Sequence, residues 1–76
     1  MNHSEEEAFE KLIDYFDDKE DMVQAMQAAE LGIEIYPYSS ALLIKKADIL
    51  LATRQYKPAL EILEQAELLD SNDINL

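Results

Sequence analysis

Apolar residues recur along this chain at helical spacing, in four stretches divided by short polar or proline-bearing breaks. Phe9, Leu12, Ile13 and Phe16 stand at i, i+3, i+4 and i+7, one face of a helix over roughly 5–17. Met1 to His3 read as a loose terminus. Ser4 with Glu7 matches a capping box, the hydroxyl taking a free N–H while the carboxylate reaches back. Asp17-Asp18-Lys19-Glu20-Asp21 then breaks the period and reads as a turn, and Asp21 with Gln24 is a second capping signal.

A second helix follows, with Met22, Ala25, Met26, Ala29, Ile33 and Tyr36 on one side. Its small residues Ala25, Ala28, Ala29 and Gly32 would let a neighbour approach closely. Pro37 ends it, because the ring disfavours helical geometry in the preceding residue. Ser39 or Ser40 caps a third helix that runs to about Thr53. Leu42, Leu43, Ala47 and Leu50 form one face of it, Ile44 and Leu51 another, and Ile49 lies off both. A helix apolar nearly all round expects several neighbours. A fourth helix opens near Pro58, which is tolerated in a first turn. The pattern ends it at Leu69, with Asp70-Ser71-Asn72-Asp73 as a polar turn and Ile74-Asn75-Leu76 starting something unfinished.

The stretches are not independent. Shifted by 34 positions, Ala25 falls on Ala59, Glu30 on Glu64, Gly32 on Ala66 and Pro37 on Ser71. Self-similarity at such a period marks a repeat architecture. In these residues the chain resembles the tetratricopeptide repeat (TPR) family, whose unit is a 34-residue helix–turn–helix. The copy at 40–73 carries the likeness best. Ala47 takes the small-residue position of its first helix and Tyr56 the aromatic position at the turn. Ala59, Leu63 and Ala66 take the Ala, large-apolar and Ala positions of the second helix. Leu69-Asp70-Ser71-Asn72-Asp73 resembles the usual Leu-Asp-Pro-Asn-Asn ending, with Ser71 in place of Pro. The copy at 6–39 is more diverged. Phe9, Leu12 and Phe16 sit at large positions, and Ala25 and Pro37 are retained. Gly32 replaces Ala, and Ile13 fills a slot that is normally Gly or Ala.

The resemblance implies an all-α fold: one domain over 1–76, two antiparallel helix–turn–helix repeats forming a superhelical, solenoid-like segment, and 74–76 opening a third repeat. It also implies a non-catalytic scaffold that holds a peptide or partner protein in a concave groove lined by each repeat's first helix. The competing arrangement is a plain four-helix bundle. The competing function is that of a structural fragment of a longer solenoid, with its ligand site elsewhere.

Charge sharpens the ligand. The net charge is −11, which argues against nucleic acid and anionic membrane surfaces as partners. Up to Ser39 the chain holds 11 acidic and 2 basic residues, against 6 and 4 beyond it. Glu7, Glu10, Asp14 and Asp17 recur at i, i+3, i+7 and i+10, with Asp18 beside them, as one carboxylate stripe. The same frame in the second copy gives Ala41, Ile44, Asp48 and Leu51, with Lys45 alongside. These residues are the candidate partner-binding set: Glu7, Glu10, Asp14, Asp17, Asp18, Ile44, Lys45, Asp48 and Leu51. A charge stripe is most often a solvated helix face, but an apolar pair such as Ile44 and Leu51 on such a face calls for a partner. TPR domains that grip a carboxylate terminus use Lys and Asn where this chain has Glu10 and Asp14. The expected ligand is instead basic and partly apolar. Only Lys11 and Lys19 offset the crowded carboxylates of the first half, so these are expected to oppose folding.

Other chemistry is poorly supplied. There is no cysteine and one histidine, His3, and no glycine-rich phosphate loop. No metal, cofactor or catalytic role is expected. Asp17 does not open a calcium loop, because Lys19, Met22 and Ala28 stand where an EF-hand needs an oxygen ligand, Gly and Glu. Asn2-His3-Ser4 matches a glycosylation sequon, but no secretory segment precedes it, and a cytoplasmic location is the default expectation. With 76 residues and only two repeats, the chain is short of the roughly three repeats usually needed for independent stability. Self-association through the apolar second repeat, at residues such as Leu51 and Leu60, is therefore expected.

Overall fold

A computed structural model describes the backbone of residues 3–74 and the side chains of residues 5–71. Four α-helices make up the described chain: α1 His3–Asp18, α2 Met22–Ile35, α3 Ser40–Ala52 and α4 Tyr56–Ile74, with no strand among the described residues. Three breaks of three or four residues join them, so neighbours in sequence run antiparallel. The overall extents are 41 × 34 × 17 Å. The thin dimension fits two layers of helix stacked about 8–10 Å apart.

The breaks repeat in atomic detail. At the end of α1 the Glu20 N–H donates to the Asp17 carbonyl (2.9 Å) and the Asp21 N–H to the Phe16 carbonyl (2.8 Å). At the end of α3 the Arg54 N–H donates to Leu51 (3.0 Å) and the Gln55 N–H to Leu50 (2.8 Å). Each pair is a Schellman motif, which satisfies the orphan carbonyls of a helix end through one left-handed residue. That residue is Glu20 in the first turn (φ 59°) and Arg54 in the second (φ 65°), 34 positions apart. Glycine is absent from both, so each turn carries the Cβ strain of an L-residue in this region.

Helix starts follow the capping chemistry. Asp21 accepts from the Gln24 N–H (3.1 Å) and opens α2, and Ser39 accepts from the Leu42 N–H (3.2 Å) and opens α3. Pro37 stops the chain after α2, as the pattern predicts. Two boundaries differ from the sequence reading. The helix α1 begins at His3, so Ser4 lies inside its first turn rather than capping it; the Ser4 and His3 side chains and the Asn2 sequon lie outside the described residues. The helix α4 does not stop at Leu69 but continues through Asp70-Ser71-Asn72-Asp73 to Ile74. The reason is Ser71: where the first copy has Pro37, serine keeps its N–H, and nothing in the stretch forbids helix. The turn expected over 70–73 is therefore absent, and the reading of Asn75 and Leu76 lies outside the described residues.

Packing is open rather than closed. The third helix meets both α1 and α2, whereas among the described residues α4 approaches only α3, with no Cα within 8 Å of α1 or α2. A four-helix bundle would bring α4 back against α1, and this chain does not do so. The core lies where α1, α2 and α3 converge: Ile13, Ala25, Ala28, Ala29, Leu42 and Ile49 are buried, with Phe9, Phe16 and Met26 packed around them. Small residues set the spacing. A Cβ on Gly32 would fall 3.1 Å from both Leu42 Cδ1 and Phe9 Cγ, closer than ordinary van der Waals contact. Ile13, large where the resemblance expects Gly or Ala, is accommodated as a fully buried core residue.

Candidate functional site

The carboxylates of α1 divide into two sets with different surroundings. Those of the first turn, Glu5 exposed and Glu6 half-buried, are tied to the end of α2 and the start of α3. Glu5 Oε1 accepts a hydrogen bond from the Tyr36 hydroxyl (2.7 Å), and Glu6 Oε2 accepts one from the Ser39 hydroxyl. The same Ser39 oxygen caps α3, so one side chain ties the start of α3 to α1. The Tyr36 ring meets Phe9 edge-on, with centroids 6.4 Å apart. The bond to Glu5, reinforced by desolvation and by the charges of Glu5 and Glu6, raises the Tyr36 phenol above its ordinary 10.0. Ionising it would place a phenolate against a carboxylate.

Further along α1 the second set faces α3. Asp14 and Asp17 line a shallow cleft with Lys45, Asp48 and Ala52 of α3, floored by Ile13 and Ile49. Its volume is 180 Å³, below the roughly 300 Å³ at which small-molecule pockets begin. Lys45 Nζ lies 2.8 Å from Asp14 Oδ1 and pairs with it across the cleft. Three carboxylates and one ammonium leave the cleft acidic.

Of the nine residues the sequence singles out, the fold therefore brings four together: Asp14, Asp17, Lys45 and Asp48. Glu7, Glu10 and Asp18 stay on α1 outside the cleft; Glu10 is half-buried and the other two are exposed. Ile44 and Leu51, each 39 % exposed, flank Asp48 on α3 at helical spacing without lining the cleft. The acidic stripe is also less isolated than its sequence implies, because Lys45 offsets Asp14 from 31 residues away. No local spacing signals that pair. Among the described residues no group of three or more His, Cys, Asp or Glu could hold a metal ion, and no helix is long and apolar enough to cross a membrane.

Two features lie outside the sequence-derived set. Between α2, α3 and α4 a cleft of 440 Å³ opens over Met26, Leu50, Pro58 and Ile62, with Glu30 and Lys46 paired at 3.4 Å on its rim. On the outer side of α2, Val23, Leu31 and Ile35 are exposed although apolar. Their signal was present in the sequence, since none of them falls on the face carried by Met22, Ala25 and Ala29. Comparison with protein-family models, curated proteins and solved structures found no match for this chain.

Proposed function

We propose that this chain is a TPR-like, non-catalytic scaffold that binds a basic, partly apolar segment of a partner protein along the side formed by α1 and α3. The observation that carries the reading is the acidic cleft of Asp14, Asp17 and Asp48, with Ile44 and Leu51 exposed beside it. The recurrence of the same turn hydrogen bonds after 34 residues, and the seating of α3 on both helices of the preceding hairpin, support the repeat reading. A cationic side chain entering the cleft would pair with Asp17 and Asp48, while apolar neighbours rest on Ile44 and Leu51. Exposed ion pairs contribute only about 0.2–1 kcal/mol each, so most of the affinity falls to the apolar contacts. Fluorescence anisotropy with Lys/Leu-rich and Glu/Leu-rich peptides at low and high salt tests this. The reading requires tighter, salt-weakened binding of the first peptide; equal affinity for both, indifferent to salt, would sink it.

A second reading, that the chain packs against further repeats or against itself through the C-terminal half, rests on α4. Leu60 is 59 % and Leu68 67 % exposed on a helix that meets only α3 among the described residues. Sedimentation equilibrium is the test. Under this reading a dimer forms and Leu51→Glu or Leu60→Glu dissociates it; a monomer mass at millimolar concentration refutes self-association.

A further inference from the structure

We propose a second docking surface, on the outer side of α2, that takes an amphipathic helix of a partner protein bearing Lys or Arg beside its apolar residues. Val23, Gln27, Leu31 and Ile35 recur at i, i+4, i+8 and i+12, the spacing of the ridges by which packed helices interlock. All four are exposed, Val23 by 68 %, Leu31 by 52 % and Ile35 by 53 %, and Tyr38, 81 % exposed, prolongs the apolar line past the helix end. The buried residues of α2, Ala25, Ala28, Ala29 and Gly32, lie on its other side.

Shifted by 34 positions, the ridge reads Lys57, Glu61, Gln65 and Leu69, three of the four polar. The exposed apolar residues of α4, Tyr56, Leu60 and Leu68, stand one position round from this frame, so the two helices expose different apolar lines. The ridge runs into a hollow at each end: one of 350 Å³ in the seam where Val23 and Gln27 approach Ile49 and Thr53, and one of 560 Å³ where Ile35 and Tyr38 approach Glu6.

Charge selects the occupant. No Lys or Arg occurs between Glu20 and Ile44, and Glu30 and Glu34 border the ridge. Glu30 pairs with Lys46, and Glu34 has no ion pair among the described residues. A second copy docking α2 on α2 would bring two more carboxylates to this side and no cation from either helix. A basic amphipathic helix neutralises them and covers the ridge at once.

The test is a titration of the isotope-labelled full chain with a synthetic Leu/Lys peptide at helical spacing, and with its Glu-for-Lys counterpart, followed by amide chemical shifts. The Lys peptide is expected to shift Val23 to Tyr38, and the Glu peptide to bind about tenfold more weakly or worse at low salt. The double variant Leu31→Ser/Ile35→Ser is expected to lose about tenfold or more in that contact while keeping its melting temperature; if it fails to fold, Val23→Ser serves. Shifts confined to α1 and α3 would overturn this surface and leave the cleft reading standing. Shifts nowhere, equal affinity for the two peptides, or a dimer of the free chain that the double variant dissolves would each overturn it as well.

Discussion

Glu20 and Arg54 hold the same left-handed backbone conformation, with φ of 59° and 65°, at positions 34 apart in the chain. Each closes a helix through the same two hydrogen bonds, and neither is the glycine such a position favours. Replacing either by glycine removes a Cβ clash worth about 1–2 kcal/mol and loosens the unfolded chain by somewhat less. Glu20→Gly and Arg54→Gly are each expected to stabilise by about 0.5–1 kcal/mol, raising Tm by several degrees in thermal melts. Lys19→Gly, one residue before the first of these positions, is expected to lower it. Equal effects at 19 and 20 would mean that the turn geometry is not the one described.

The opposite substitution applies to Gly32. An added methyl there meets Leu42 and Phe9 at 3.1 Å, and Leu42 is wholly buried, so the junction of α1, α2 and α3 has to open. Overpacking costs about 1–3 kcal/mol, and the better helix propensity of alanine returns up to about 1. Gly32→Ala is expected to destabilise by roughly 1 kcal/mol in urea unfolding. A stabilised variant would show that Phe9 moves aside freely.

Tyr36 supplies a pH test. Its phenol is raised in the folded chain, so the folded state holds this proton more tightly than the unfolded one. That contribution is fully present below the ordinary value of 10.0 and is lost as pH climbs from there through the raised one. The stability gap between the parent chain and Tyr36→Phe is expected to be level from pH 7 to 9 and to shrink above 10.0. A gap independent of pH up to 11 would mean that the bond to Glu5 is absent in solution.

Asp14 and Asp18 look equivalent in the sequence, as two carboxylates of a crowded helix, and both reversals are expected from it to relieve repulsion. The fold separates them. Asp14 pairs with Lys45, so Asp14→Lys exchanges an attraction for a repulsion and is expected to lower stability by about 0.2–1 kcal/mol. Asp18→Lys has no such pair to lose among the described residues and is expected to raise Tm slightly. Matching shifts of the same sign would argue against the Asp14–Lys45 pair.

That contrast marks how far the sequence could be read. Helix number, the Asp21 cap, the Pro37 stop and the 34-residue period are legible because each is written in local spacing, whereas the choice of Ser39 over Ser40 as the cap of α3 is not. The end of α4 is not, because the ending resembles one that bears proline while Ser71 in that place leaves the helix free to continue. Four of the nine site residues converge, since helical periodicity fixes which residues share a face. The ion pair across α1 and α3, and the use of Glu5 and Glu6 to anchor the loop before α3, depend on tertiary contacts 31 and 33 residues apart. No periodicity encodes those.

The central claim, that the acidic cleft between α1 and α3 selects a basic segment, is tested most directly by removing its charge without changing its shape. The triple variant Asp14→Asn/Asp17→Asn/Asp48→Asn keeps the volume and deletes the carboxylates. Read by amide shifts of α1 and α3, the preference for the Lys/Leu peptide over the Glu/Leu peptide is expected to fall toward unity in the variant. A preference unchanged by the loss of all three charges, in a variant that melts as the parent does, would contradict it.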